Sequence, residues 1–229
     1  TLDKNVGALL IETRAANPEL LKQQTVELEG ILEEFEQTNV IKFTDVAREY
    51  SQLWAIRKGT FPAVGAVREN GTTVIIEDVA FPVKQMSNGV ADLQTLFNKY
   101  HYDEAIIFGH ALEGNLHFVF TQDFGTQSEV DRYQAFMDDV CQLVAVDYQG
   151  SLKAEHGTGR NMAPFVELEW GKHGFKLMQK IKQIFDPKNL LNPGVIINDD
   201  AHAHIKNLKA LPVADDIIDK CIECGFCEP

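Results

Sequence analysis

The chain has 229 residues, 45% of them hydrophobic and 24% charged, the balance of an ordinary globular protein with length enough for a core. Its net charge of −13 argues against a nucleic-acid partner, which needs a basic face. No apolar run approaches the ~18 residues of a membrane-spanning helix, and "TLDKNVGALLIET" carries no initiating Met, so the expectation is a piece of a larger polypeptide.

Residues 6–14, "VGALLIETR", read as a buried strand. Asn17 and Pro18 open a helix as N-cap and first position, with Leu21, Leu28, Ile31, Leu32 and Phe35 at helical spacing. A short strand is expected at 39–43. The next helix, "TDVAREYSQLWAIRKG", ends at Gly59, its inward stripe formed by Tyr50, Leu53 and Trp54. A strand at 73–79 precedes a helix opened by Pro82, with Met86, Val90, Leu93 and Phe97 facing in. "EAIIF" and "LHFVF" form a hairpin. Thr126 and Glu129 make a capping box for a helix burying Val130, Tyr133, Met137, Val140 and Val144, and Cys141 reads as a small buried hydrophobe there. "SLKAE" at 151–155 is a further strand, and a helix over 172–185 stops at Asp186-Pro187. Residues 199–216, His202 and His204 included, read as a polar linker. Alternating elements interrupted by a direct hairpin predict an α+β fold: a ferredoxin-like two-layer sandwich, mainly antiparallel, with helices on one face.

The hairpin loop "IIFGHALEGNLHF" holds His110 and His117. A turn centred between Glu113 and Gly114 sets the two histidines directly opposite, Cβ atoms about 4.5–5.5 Å apart on one face. Two imidazoles so placed can share one metal ion; the alternative is a cross-strand pair without a ligand. In "LKAEHGTGR", Glu155 and His156 end a strand and point to opposite faces. One can bind a metal while the other takes a proton, or both are solvated loop residues.

Arg57 continues the apolar stripe of its helix, and a cation there needs a counter-charge. That is either an internal carboxylate, Asp78 or Glu77, or the carboxylate of a substrate. Lys84 is a second, weaker candidate for the same anion. At the other end, "CIECGFCEP" places Cys221, Cys224 and Cys227 as C-x₂-C-x₂-C, the start of the iron–sulfur run whose fourth cysteine would fall beyond the last residue. Zinc would ask for a second pair or histidines at fixed spacing. No assembled cluster is expected in this chain alone.

"EDVAFP", "GHALEGNLHF", "AEHGTGR" and "DPKNLLNPG" occur in the order found in the C-terminal domain of FAD-linked oxidases. The chain resembles that family over about residues 5–198, in the group of D-lactate dehydrogenases, glycolate oxidase and D-2-hydroxyglutarate dehydrogenase. Glu113 stands where the family's G-H-x-x-D-G-N-x-H has Asp. The cysteine run resembles the subgroup with a fused ferredoxin-type domain, giving residues 1–198 as the oxidase domain and 199–229 as linker and start of a 4Fe-4S domain. The resemblance implies a divalent metal, zinc, on His110, His117 and Glu155; His156 as base; Arg57 at the substrate carboxylate; and Asn115 and Asn192 near the flavin. FAD would be held mainly by an N-terminal domain, and no G-x-G-x-x-G follows a strand here, so the chain is expected to be inactive alone. The implied substrate is a D-2-hydroxy acid, D-lactate foremost, with glycolate or D-2-hydroxyglutarate as alternatives. The implied acceptor is a quinone or cytochrome, with a cytoplasmic protein at the inner face of the membrane. Outside enzymes, the alternative is a non-catalytic ligand-binding module of the same fold.

Overall fold

The computed structural model describes residues 7–38, 42–208 and 213–221. The chain divides into two compact units, Thr1–Thr60 and Phe61–Pro229.

In the first unit, α1 (Pro18–Leu32) starts as its sequence dictates, with the Asn17 side chain accepting from Leu20 N at 2.8 Å and Pro18 in the first turn. The second helix, α2, is Ala47–Lys58. Neither helix buries a residue. The expected inward stripes are therefore corrected: Ile31, Phe35, Tyr50, Leu53 and Trp54 are exposed. Residues 7–14 form no strand. Their tie is a side-chain bond, Trp54 Nε1 donating to Glu12 at 3.0 Å, rather than a ladder. Helical periodicity marked the elements correctly but could not say whether a partner covers them. The expected strand at 39–43 lies mostly outside the described residues, and residues 42 and 43 have no regular structure.

The second unit begins along α3 (Thr60–Val67) and then enters the sheet. Strands β1 (Thr72–Ala80), β2 (Ile106–His110) and β3 (Asn115–Asp123) form a three-stranded antiparallel sheet in the order β1-β3-β2. On the central strand, Leu116, Phe118 and Phe120 face α4 (Met86–Lys99) and α5 (Gln127–Cys141). They pack with Leu93 and Phe97 of α4 and with Tyr133, Phe136, Met137 and Val140 of α5, the faces that 3.6-residue periodicity predicts. Cys141 is fully buried beside them, and burial pushes its thiol well up. The Thr126 side chain caps α5 by accepting from Glu129 N at 3.3 Å.

Four departures from the sequence expectation follow. The β2–β3 register sets His110 opposite Asn115 and Phe108 opposite His117, so the turn centres between Leu112 and Glu113, one position earlier than expected. "SLKAE" is not a strand: Ser151 alone bridges Ala80, exchanging backbone bonds of 2.9 Å in both directions. Helix α6 (Val166–Phe185) starts six residues before the expected 172 but is interrupted at Gly171 (φ 70, ψ 164), so the expected helix is its second half. His204, expected in a linker, is buried against the Phe165 ring at 5.0 Å.

Candidate metal centre

Alternation along β3 sends Phe118 to the helices and His117 to the opposite face. Asp78 of β1 and Phe108 of β2 are its two cross-strand partners, so all three share that face. His110, two residues beyond Phe108, shares it too. The early turn therefore makes the histidines diagonal rather than direct neighbours but leaves them on one side, their rings 5.7 Å apart. Glycine is required at the hairpin for space: a Cβ on Gly109 would lie 2.1 Å from the Asn115 carbonyl oxygen, and one on Gly114 (φ 66) 2.1 Å from that of Phe81.

The segment after Ser151 crosses this face. Glu155 Oε1 lies 2.8 Å from His117 Nε2 and 3.8 Å from His110 Nε2. One donor atom from each of the three residues falls within 4.8 Å of the others. His156 does not diverge from Glu155 as a strand end would require. Its ring stacks on His117 at 4.9 Å, and its Nε2 is 3.6 Å from Glu155 Oε1. No ladder holds these residues; Asp78 does. Its Oδ2 accepts from Glu155 N at 2.6 Å and His156 N at 3.3 Å, and its Oδ1 is 3.3 Å from both His156 Nδ1 and Lys153 Nζ.

Burial pushes the Asp78 carboxyl up, but the bonds from Glu155 N–H, Lys153 and His156 outweigh it and hold the group below the usual aspartate range. Behind it, Lys153 also bonds Glu77, which takes a second bond from Asn161 Nδ2. Burial raises Glu77 despite that lysine. Desolvation lowers His117, against the pull of Glu155, and so favours the neutral imidazole that a metal ligand must be. Two imidazoles and a carboxylate are the donor set that suits a zinc-type divalent cation. The three donor atoms lie within 4.8 Å of one another, so the residue types and their grouping fit the group.

The other expected residues are placed as follows. Asn115 is buried opposite His110, its Oδ1 without a hydrogen-bond partner among the described residues. Lys84 is exposed in the turn Val83–Gln85 that follows Phe81 and Pro82. Asn192 is exposed, with φ 44, on the loop after α6. Asp186 organises that loop by accepting from Leu190 N, Leu191 N and Lys182 Nζ, which hold its carboxyl down at about 2. The loop meets the glycine turn after His156 where Ile196 N donates to Gly159 O at 3.1 Å. Arg57 belongs to the first unit, half-buried on α2. Cys221 is exposed, while Cys224 and Cys227 lie outside the described residues. Lys153 and Asn161 went unnoticed in the sequence, and Asp78 was weighed only as a partner for Arg57. The available signal was the pair Glu77-Asp78 inside an apolar strand, which needs a buried cation nearby.

Fold and site together define an α+β domain with a two-histidine, one-carboxylate donor set beside a third imidazole. The chain belongs to the family described as FAD linked oxidases, C-terminal domain, whose model matches residues 2–196. It is 27% identical over 204 residues to the glycolate oxidase subunit GlcD of Bacillus subtilis, covering 89% of this chain and 42% of that protein. It is 25% identical over 199 residues to a D-lactate dehydrogenase of Anaerostipes hadrus, covering 83% of this chain and 39% of that protein. A D-2-hydroxyglutarate dehydrogenase of Xanthomonas citri pv. viticola is 32% identical over 149 residues, covering 63% of this chain and 30% of that protein. The chain thus spans less than half the length of these relatives. The family implies FAD and an oxidoreductase. Among the described residues, no helix is long and apolar enough to cross a membrane.

Proposed function

We propose that this chain is the substrate- and metal-binding part of a flavin-dependent D-2-hydroxy-acid dehydrogenase, with D-lactate the first candidate substrate. The observation that carries the reading is the convergence of His110, His117 and Glu155 within 4.8 Å, with His156 stacked against them. Those three residues would hold a divalent ion, zinc by donor type. Bound there, the ion would supply Lewis acidity toward a hydroxyl group, and FAD would supply the hydride acceptor.

The protein's own residues do the rest. Arg57 is the first candidate for the substrate carboxylate, and Lys84 is the weaker, alternative one. His156 would take the hydroxyl proton on its ring, and the oxidation to a 2-oxo acid would be balanced by the hydride acceptor that FAD supplies when bound. Asn115 and Asn192 would lie near the flavin; the Asn115 Oδ1, without a hydrogen-bond partner among the described residues, supports a ligand there. Residues 1–198 form the oxidase domain, and 199–229 lead into a 4Fe-4S domain through Cys221, Cys224 and Cys227, passing electrons to a quinone or cytochrome at the inner face of the membrane. The chain order β1-α4-β2-β3-α5, with Ser151 bridging β1 on the side away from β3, supports the ferredoxin-like frame. The names of the relatives keep glycolate and D-2-hydroxyglutarate as alternatives.

The test is a panel of D- and L-2-hydroxy acids assayed with the complete polypeptide that bears this domain, metal content measured alongside. D-lactate oxidation with one stoichiometric divalent ion is expected. His156→Ala should lower turnover about 10²–10⁴-fold and keep the ion. Near-normal turnover in that variant removes His156 from the role of base, and a protein that oxidises no 2-hydroxy acid sinks the proposal.

A further inference from the structure

We propose that Asp78 is a positioning residue that fixes His156 in the tautomer with its proton on Nδ1, leaving the Nε2 lone pair turned toward the metal cage. This rests on His156 acting as the base, but the geometry behind it is independent of any substrate. Asp78 is fully buried on β1, and it accepts hydrogen bonds from Glu155 N, His156 N and Lys153 Nζ. One oxygen takes the Glu155 and His156 backbone N–H groups, and the other faces Lys153 Nζ and His156 Nδ1, each at 3.3 Å.

An ionised carboxylate only accepts, so the nitrogen turned toward it must carry the hydrogen. The competing carboxylate is Glu155, 3.6 Å from Nε2. It loses on distance, on exposure (43% against none for Asp78) and on its closer engagement with His117 at 2.8 Å. Lys153 cannot leave Asp78 easily, because it is itself held by the buried Glu77. The same carboxylate also anchors the backbone of both Glu155 and His156, so one buried group sets the direction of a metal donor and of the proton acceptor next to it.

Asp78→Asn separates these roles. Its carbonyl oxygen can keep the two backbone bonds, while its NH₂ group turns a donor toward Nδ1 and forces the proton to Nε2. The probe is nitrogen-15 NMR of the histidine side chains in the 229-residue chain, before and after one equivalent of zinc. The expected result is His156 with Nδ1–H in both states, switching to Nε2–H in Asp78→Asn while zinc stoichiometry is unchanged. In the complete flavoprotein the same variant should lose at least about 10²-fold in kcat with KM moved less than about threefold, as for removal of a general base. Asp78→Glu, which keeps an acceptor, should restore the tautomer. Nε2–H in the unsubstituted chain overturns the proposal whether or not the variant folds, and so does a tautomer unchanged by Asp78→Asn. A switched tautomer with undiminished turnover upholds the positioning role and instead rejects His156 as the base.

Discussion

His204 illustrates how a single side chain can cost the fold stability. It is 5% exposed, and neither ring nitrogen has a hydrogen-bond partner among the described residues. An unsatisfied buried polar group costs about 1–3 kcal/mol. Desolvation lowers its pKa, with His202 adding to the fall and Asp138 and Asp200 opposing it. The folded form therefore resists a proton that the unfolded form accepts near the ordinary value of about 6.5. Stability from this residue is unimpaired above that value and declines as pH falls below it. His204→Phe, placed against Phe165, should raise stability by about 1 kcal/mol at neutral pH and by more at pH about 5. Urea denaturation at the two pH values checks this, and an equal or smaller gain at the lower pH refutes it. The residue pattern singled out His110, His117, Glu155 and His156 as candidates, and the family resemblance supplied their separate roles. They could not reveal His204 as buried, since its cover comes from Phe165, distant in sequence.

At the level of elements, the hairpin depends on two glycines. Gly114 combines positive φ with a Cβ direction aimed at the Phe81 carbonyl, and its own carbonyl accepts from Phe81 N at 2.9 Å. Gly114→Ala must move the turn, at an expected cost of about 2 kcal/mol or more. It should also weaken zinc binding, because His110 and His117 stand on the two strands that the turn joins. A urea midpoint and a zinc titration test both, and an unshifted midpoint contradicts the close approach. Helices and hairpin were legible from period and capping residues such as Asn17, Pro18 and Thr126. The register was not, yet a turn displaced by one position changed each pairing by two residues and so preserved which face each histidine occupies. The expected strand at 151–155 failed for a different reason. Beyond Ser151, a side chain, Asp78, replaces the ladder as acceptor for Glu155 N and His156 N, and strand propensity does not register that.

Across the whole molecule the two units are stabilised unequally. No described residue of Thr1–Thr60 is buried, whereas Phe61–Pro229 holds the aromatic core and all three cage donors. A cation bound by the folded second unit but not by the unfolded chain stabilises that unit by mass action, about 2.7 kcal/mol at a hundredfold excess over Kd. For a unit of this size that is a rise in Tm of about 5–10 °C. Zinc should therefore raise the melting transition of the second unit and leave amide exchange of α1 and α2 unchanged, since none of the donors lies in the first unit. His110 is the variant of choice: its side chain is 53% exposed, so His110→Ala removes a donor with little loss of packing. It should melt like the unsubstituted chain without zinc and gain almost nothing when zinc is added. Scanning calorimetry with and without the metal decides between the outcomes. An equal zinc-induced rise in His110→Ala would place the stabilising ion elsewhere and remove it from the group of His110, His117 and Glu155.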